Sequence, residues 1–302
     1  MPLSRRLTCG LLAPVIAVPL FAQTPTSPRA QSPALEPPDQ LVRDVVYNEL
    51  HDRERDSHWQ YRSECTAATG SYVREQVETD RGPVYRIVAQ NGQPLDAGQR
   101  LREDRRLDDY VRDPAQIARA ARAHQQDEDR LGAAIALMPQ ALLFQYQGAP
   151  AADRVQLAFR PNPAFSPSGI EARIVHALAG TVTVNLRLKR MVEMHGEISD
   201  RVDFGFGLLG QVAKGGSFTV HRLQVSPTHW KTDLVDTHIH GKVLLLKTFG
   251  KVQRETRSDF HAVPGGTTPS AAVALLNHDG AAAEQAKLPP APGQPGRPGA
   301  TE

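Results

Sequence analysis

The chain has 302 residues, 40% of them hydrophobic, enough to bury a full core, and its 35 Lys and Arg stand against 33 Asp and Glu for a net charge of +2. So even a balance excludes a chain-wide field that would gather nucleic acid or an anionic membrane. The two cysteines are Cys9 and Cys65; with Cys9 in a segment expected to be removed, no intramolecular disulfide is available and stability has to come from packing.

Residues 1–22 read as a signal peptide: Arg5 and Arg6 form a positive start, Leu7 to Phe21 an apolar run, and Ala22 a small residue suited to cleavage. The run is short and interrupted by Pro14 and Pro19, so it does not suit a membrane span, and the expected destination is the periplasm. Residues 23–38 are rich in Pro, Ser, Thr and Ala and read as a flexible leader. A single domain is expected over 39–264, followed by a disordered Pro/Gly/Ala-rich tail over 265–302.

The domain opens with a helix from Asp39, where Leu41, Val42, Val45, Val46, Glu49 and Leu50 recur at helical spacing. Three strands follow at 58–67, 71–79 and 84–90, separated by turn signals at Thr69-Gly70 and Arg81-Gly82-Pro83. Residues 96–130 are dense in both signs of charge, and Pro114 is expected to divide them into two solvated helices. The segment 131–143 turns apolar and runs into a strand; 154–159 alternates with Val155, Leu157 and Phe159 on one side; and 170–178 is helical.

The stretch 180–260 organises the rest. Val182, Val184, Leu186 and Leu188 alternate with Thr181, Thr183, Asn185 and Arg187, the period of an antiparallel strand with one apolar face. Val192, Met194, Gly196 and Ile198 continue that face, strands are expected at 217–225 and 230–240, and the Arg-rich 252–260 suits an exposed closing strand.

Motifs that would carry chemistry are sparse. Gly205-Phe206-Gly207-Leu208-Leu209-Gly210 has the letters of a dinucleotide fingerprint, but Lys214-Gly215-Gly216 stops any helix that would receive the pyrophosphate. A glycine-rich loop placing Phe204, Phe206, Leu208 and Leu209 at a cavity mouth fits better. His238 and His240 share a strand face and His221 lies on a neighbouring strand, so a metal site is the alternative that the histidines allow. No nucleophile elbow or Cys–His pair is present, so no catalytic residue and no cofactor is assigned, and Cys65 reads as a small buried hydrophobe beside Trp59 and Tyr61.

The runs Gly180-Thr181-Val182-Thr183-Val184, Val202-Asp203-Phe204-Gly205-Phe206-Gly207-Leu208-Leu209-Gly210, Lys214-Gly215-Gly216, Gly241-Lys242-Val243-Leu244-Leu245-Leu246-Lys247 and Ser258-Asp259-Phe260, with Trp230, together resemble the periplasmic lipoprotein-sorting proteins of the LolA/LolB-like group. The resemblance implies an α+β fold: an unclosed, strongly curved antiparallel β-barrel (half-barrel) whose concave face is capped by helices and holds an acyl chain or lipidated partner. On that reading Val182, Val184, Leu186, Val192 and Met194, with Phe204, Phe206, Leu208 and Leu209, line an apolar cavity. The alternatives are a metal-binding envelope protein or enzyme using His238, His240 and His221, or an interaction module for another envelope protein.

Overall fold

The computed structural model describes residues 35–51, 58–204, 210–239, 241–243 and 252–285. The described residues from Glu36 onward belong to one compact unit. It is an α+β fold, and among the described residues the largest sheet has 11 strands, all pairs antiparallel and its ends unjoined.

Helix α1 (Pro38–Leu50) has Pro37 at its N-cap and proline in its first turn, where a missing N–H costs nothing, and it buries Leu41, Val42, Val45 and Val46. Strands β1 (His58–Ala67), β2 (Gly70–Val77) and β3 (Val84–Gln90) form the expected meander, extended by the short β4 (Gln93–Pro94). Helix α2 (Ala97–Arg112) starts with a full capping box between Asp96 and Gln99, and α3 (Pro114–Ala141) starts on Asp113, so Pro114 does separate two helices. At the β3 edge the buried Glu103 of α2 accepts the Ile87 N–H at 2.8 Å, which satisfies a donor the sheet leaves unpaired.

Strands β5 (Leu142–Ala151) and β6 (Arg154–Pro161), helix α4 (Ile170–His176), and strands β7 (Leu178–Asn185) and β8 (Arg190–Ile198) follow in order. After β9 (Val202–Phe204) and β10 (Gly210–Val212) come β11 (Ser217–Ser226), β12 (His229–His238), β13 (Gly241–Val243) and β14 (Val252–Val263). β9, β10 and β13 make a separate three-stranded sheet. Gly210 therefore opens a strand and not the helix that a dinucleotide fingerprint requires.

Three expectations are corrected. The strand through Val182 ends at Asn185; Leu186 to Lys189 form a turn in which Lys189 adopts φ 49° and the Asn185 side chain accepts the Leu188 N–H, so Leu186 and Leu188 leave the sheet. The Arg-rich β14 is exposed along much of its length, as expected, but it is not a closing strand, since it lies between β1 and β12; its one buried residue, Glu255, is tolerated because it is paired with arginine. The segment expected to be disordered from residue 265 instead forms helix α5 (Pro269–Gln285), which buries Ala272, Val273 and Leu276 against Val77, Val84 and Leu107. Its start is fixed by the Thr268 hydroxyl, which accepts the Ala271 N–H.

The larger core joins α1, the end of α3 and α4 to strands β5–β8, with Leu41, Leu142, Leu157, Val184 and Ile198 nearly or fully inaccessible. By strand alternation the smaller core, where α5 meets Val77 and Val84, is on the opposite face of the sheet.

Candidate functional site

The pairing register places one residue from each of nine adjacent strands in a single row on one face. Reading across, Tyr72 of β2 stands beside Cys65 of β1, then Glu255 of β14, Val235 of β12, Val220 of β11, Met194 of β8, Val182 of β7, Leu157 of β6 and Tyr146 of β5. From Val235 to Leu157 the row is wholly apolar. α1 shares a core with its far end, whereas Val220 and Val235 are only half-buried. The other end of the row is polar and aromatic.

In that polar end Glu255 is bracketed by two guanidiniums, Arg257 Nε at 3.0 Å and Arg74 Nη2 at 3.3 Å, and accepts the Ser63 hydroxyl at 2.8 Å. Burial alone would raise the Glu255 carboxyl; the Arg257 and Arg74 charges and the Ser63 bond outweigh it and hold the group below its usual range. Arg74 sits over the rings of Tyr72 at 5.0 Å and Tyr85 at 5.2 Å, and Arg257 over Tyr61 at 5.6 Å. Burial pushes the Tyr61 hydroxyl up to about 12, so it stays neutral beside these cations.

A second carboxylate bracketed by arginines ties α1 to the sheet. Glu49, at the C-terminal end of α1, pairs with Arg190 of β8 and with Arg222 of β11, and it also accepts the Met191 N–H at 3.1 Å. Burial lowers the Arg222 guanidinium to about 10, the mark of a cation held out of water. Further along α1, Lys189 reaches Glu36 at 3.1 Å and also bonds Asp44, which that bond holds below the usual carboxylate range, while Asn48 donates to the Lys189 carbonyl at 3.0 Å. α1 thus has an apolar stripe on the sheet and polar anchors along its rim.

Of the residues expected to line a cavity, Val182, Val184 and Met194 are brought together in the larger core, and Leu186 packs partly against it from its turn. Val192 is buried at the β7–β8 irregularity. Phe204 ends β9, and Phe206, Leu208 and Leu209 lie outside the described residues. Sequence reasoning missed Glu49, Arg74, Arg222, Glu255 and Arg257, because charged residues within strands read as solvated until a register pairs them. The lone signal was Glu49, which falls on the apolar stripe of its own helix.

The described histidines do not converge. His221 Nδ1 is 2.6 Å from Asp233, His238 Nε2 is 2.9 Å from Asp236, and His240 lies outside the described residues. Among the described residues no three His, Cys, Asp or Glu side chains gather as a metal site would need. Two open grooves lie away from the row. One of about 500 Å³ is edged by Arg173, His176, Asp200 and Arg201, and one of about 560 Å³ runs between Pro264–Thr268 and α5. No described helix is long and apolar enough to cross a membrane. No protein family and no curated protein matches this chain.

Proposed function

We propose that this chain is an exported, non-enzymatic binding protein of half-barrel type that holds an acyl chain, free or on a lipidated partner, against the apolar part of the row. The observation that carries the reading is the run Val235, Val220, Met194, Val182 and Leu157, half-open at its Val235 end and continuing into the core beneath α1. The positive start and apolar run of residues 1–22 support export, and the sorting-protein resemblance agrees with the sheet and its helices.

The energies are of matching size. The four buried aliphatic side chains of α1 contribute ~6–12 kcal/mol at ~1.5–3 each, and a guest chain of about 15 methylenes gains ~12 kcal/mol at ~0.8 each. A guest entering over Val235 and Val220 therefore replaces part of the α1 stripe without a large net cost. On this reading the N-terminal part of α1 is the cover that yields, its half-exposed Lys189 pairs with Glu36 and Asp44 return it afterwards, and the buried Glu49 pairs keep its C-terminal end in place.

A second reading, an envelope protein-interaction module, is favoured by one fact: the buried side chains of α1 already belong to the same core as Val182 and Val184. Native mass spectrometry of the protein extracted from membranes, together with hydrogen exchange on adding laurate, separates the two. The acyl reading expects bound lipid and loss of amide protection in 38–50 with β6–β8 unchanged. Absence of lipid and an exchange pattern that laurate does not alter would leave the interaction module.

A further inference from the structure

The polar end of the row has a charge imbalance that the acyl reading does not use. Three cations, Arg74, Arg257 and Lys231, face two carboxylates: Lys231 Nζ is 2.8 Å from Glu78, whose charge also reaches Arg257, and both guanidiniums sit directly on Glu255. Buried cations in excess of their carboxylates are costly unless a further anion completes the set. Arg74 has a buried Nε with no hydrogen-bond partner, and the two rings that flank it fix the plane of its fork. The Arg257 side chain is 28% exposed and that of Arg74 18%, so solvent reaches the pair.

We infer that Arg74 and Arg257 form a head-group subsite for an anionic amphiphile, a carboxylate or a phosphate monoester, whose hydrocarbon tail lies along the row from Val235 towards Leu157. The inference rests on the acyl reading and names the class of guest. Glu255 and Val235 are adjacent in the register, so head and tail sites are continuous. Strand spacing places Met194 ~14 Å and Leu157 ~24 Å from Glu255, room for one extended chain. The planar guanidiniums offer paired N–H donors to two oxygens of one anion, which a hydroxyl head group cannot match.

Displacement of a fluorescent acyl probe by laurate, dodecyl phosphate and dodecanol tests this on the full chain. One lost hydrogen bond to a charged group corresponds to about 10- to 100-fold in affinity. The wild type is expected to favour the anions over dodecanol by at least about tenfold, and the stronger of the two anions identifies the head group. Arg74→Gln and Arg257→Gln should each collapse that ratio towards one. Where a glutamine variant fails to fold, Arg74→Lys and Arg257→Lys keep the charge, remove the fork and should still reduce the ratio. Equal binding of all three ligands overturns the subsite and leaves the acyl reading standing, as does a preference that every variant retains. Binding of none overturns the acyl reading, and the subsite falls with it.

Discussion

Replacing Glu49 with alanine removes the one carboxylate that Arg190 and Arg222 share and the acceptor of the Met191 N–H. The Glu49 side chain is 6% exposed and that of Arg222 15%, so water cannot take over its role. Removing one partner of a buried pair costs about 3–5 kcal/mol, because the Asn48 and Trp230 carbonyls that also accept from Arg190 and Arg222 carry no full charge to replace the carboxylate. For a domain of this size that is a fall in Tm of roughly 6–20 °C. Glu49→Gln keeps an acceptor for Met191 and should fall between the two. Asp108→Ala is the matched control: its carboxylate is 3.9 Å from Arg112 with side chains 54% and 75% exposed, and an open pair of this kind contributes at most about 1 kcal/mol. Thermal and urea unfolding of the three variants give the comparison. Equal, small shifts for Glu49→Ala and Asp108→Ala would refute the assignment of α1's anchor.

Leu157→Ala truncates a fully buried side chain at the far end of the row's apolar run and should cost about 2–5 kcal/mol by urea unfolding; a loss under about 1 kcal/mol would mean the site is loosely packed. Gly180→Ala should destabilise by more than a typical surface change, because a Cβ there would collide with the backbone of His195 and Gly196 across the β7–β8 pair, and an unchanged melting curve would contradict that register. Glu255 has its folded-state pKa depressed below the ordinary 4.5, so its contribution is present above that value and is lost as pH falls through the depressed one. Acid titration of stability should therefore be less steep in Glu255→Gln than in the wild type, and parallel curves would count against the Arg74–Glu255–Arg257 cluster. Truncation after Pro264 removes α5 and should lower Tm through exposure of Val77, Val84 and Leu107; an unaltered Tm would restore the expectation of a dispensable tail.

Much of the frame was legible because strand alternation and proline placement act locally. Val155, Leu157 and Phe159 on one side of β6, the stripe of α1, and the Pro114 break each follow from residues within one or two turns of one another. The position of β14 was not legible, since a polar Arg/Glu strand looks like an edge until Ser63, Arg74 and Glu255 are known to meet over a sequence separation of some 190 residues. α5 was missed because glycine, alanine and proline resemble a linker; its low polarity suits a helix only when Val77 and Val84 supply the surface to bury it. Of the candidate residues, Val182, Val184 and Met194 share one buried core, in step with the period of two, whereas Val192 falls at the β7–β8 irregularity that no local pattern announces. The charged half was invisible, because each of its pairs depends on long-range register.

The most direct measurement is photolabelling with a diazirine-bearing fatty acid, followed by peptide mapping. An acyl guest on the row puts the label on β11 and β12 around Val220 and Val235, on β8 at Met194 and on α1, and an excess of laurate removes it. Label confined to the groove beside α5 or scattered over the charged helices α2 and α3, with no competition by laurate, would contradict the account.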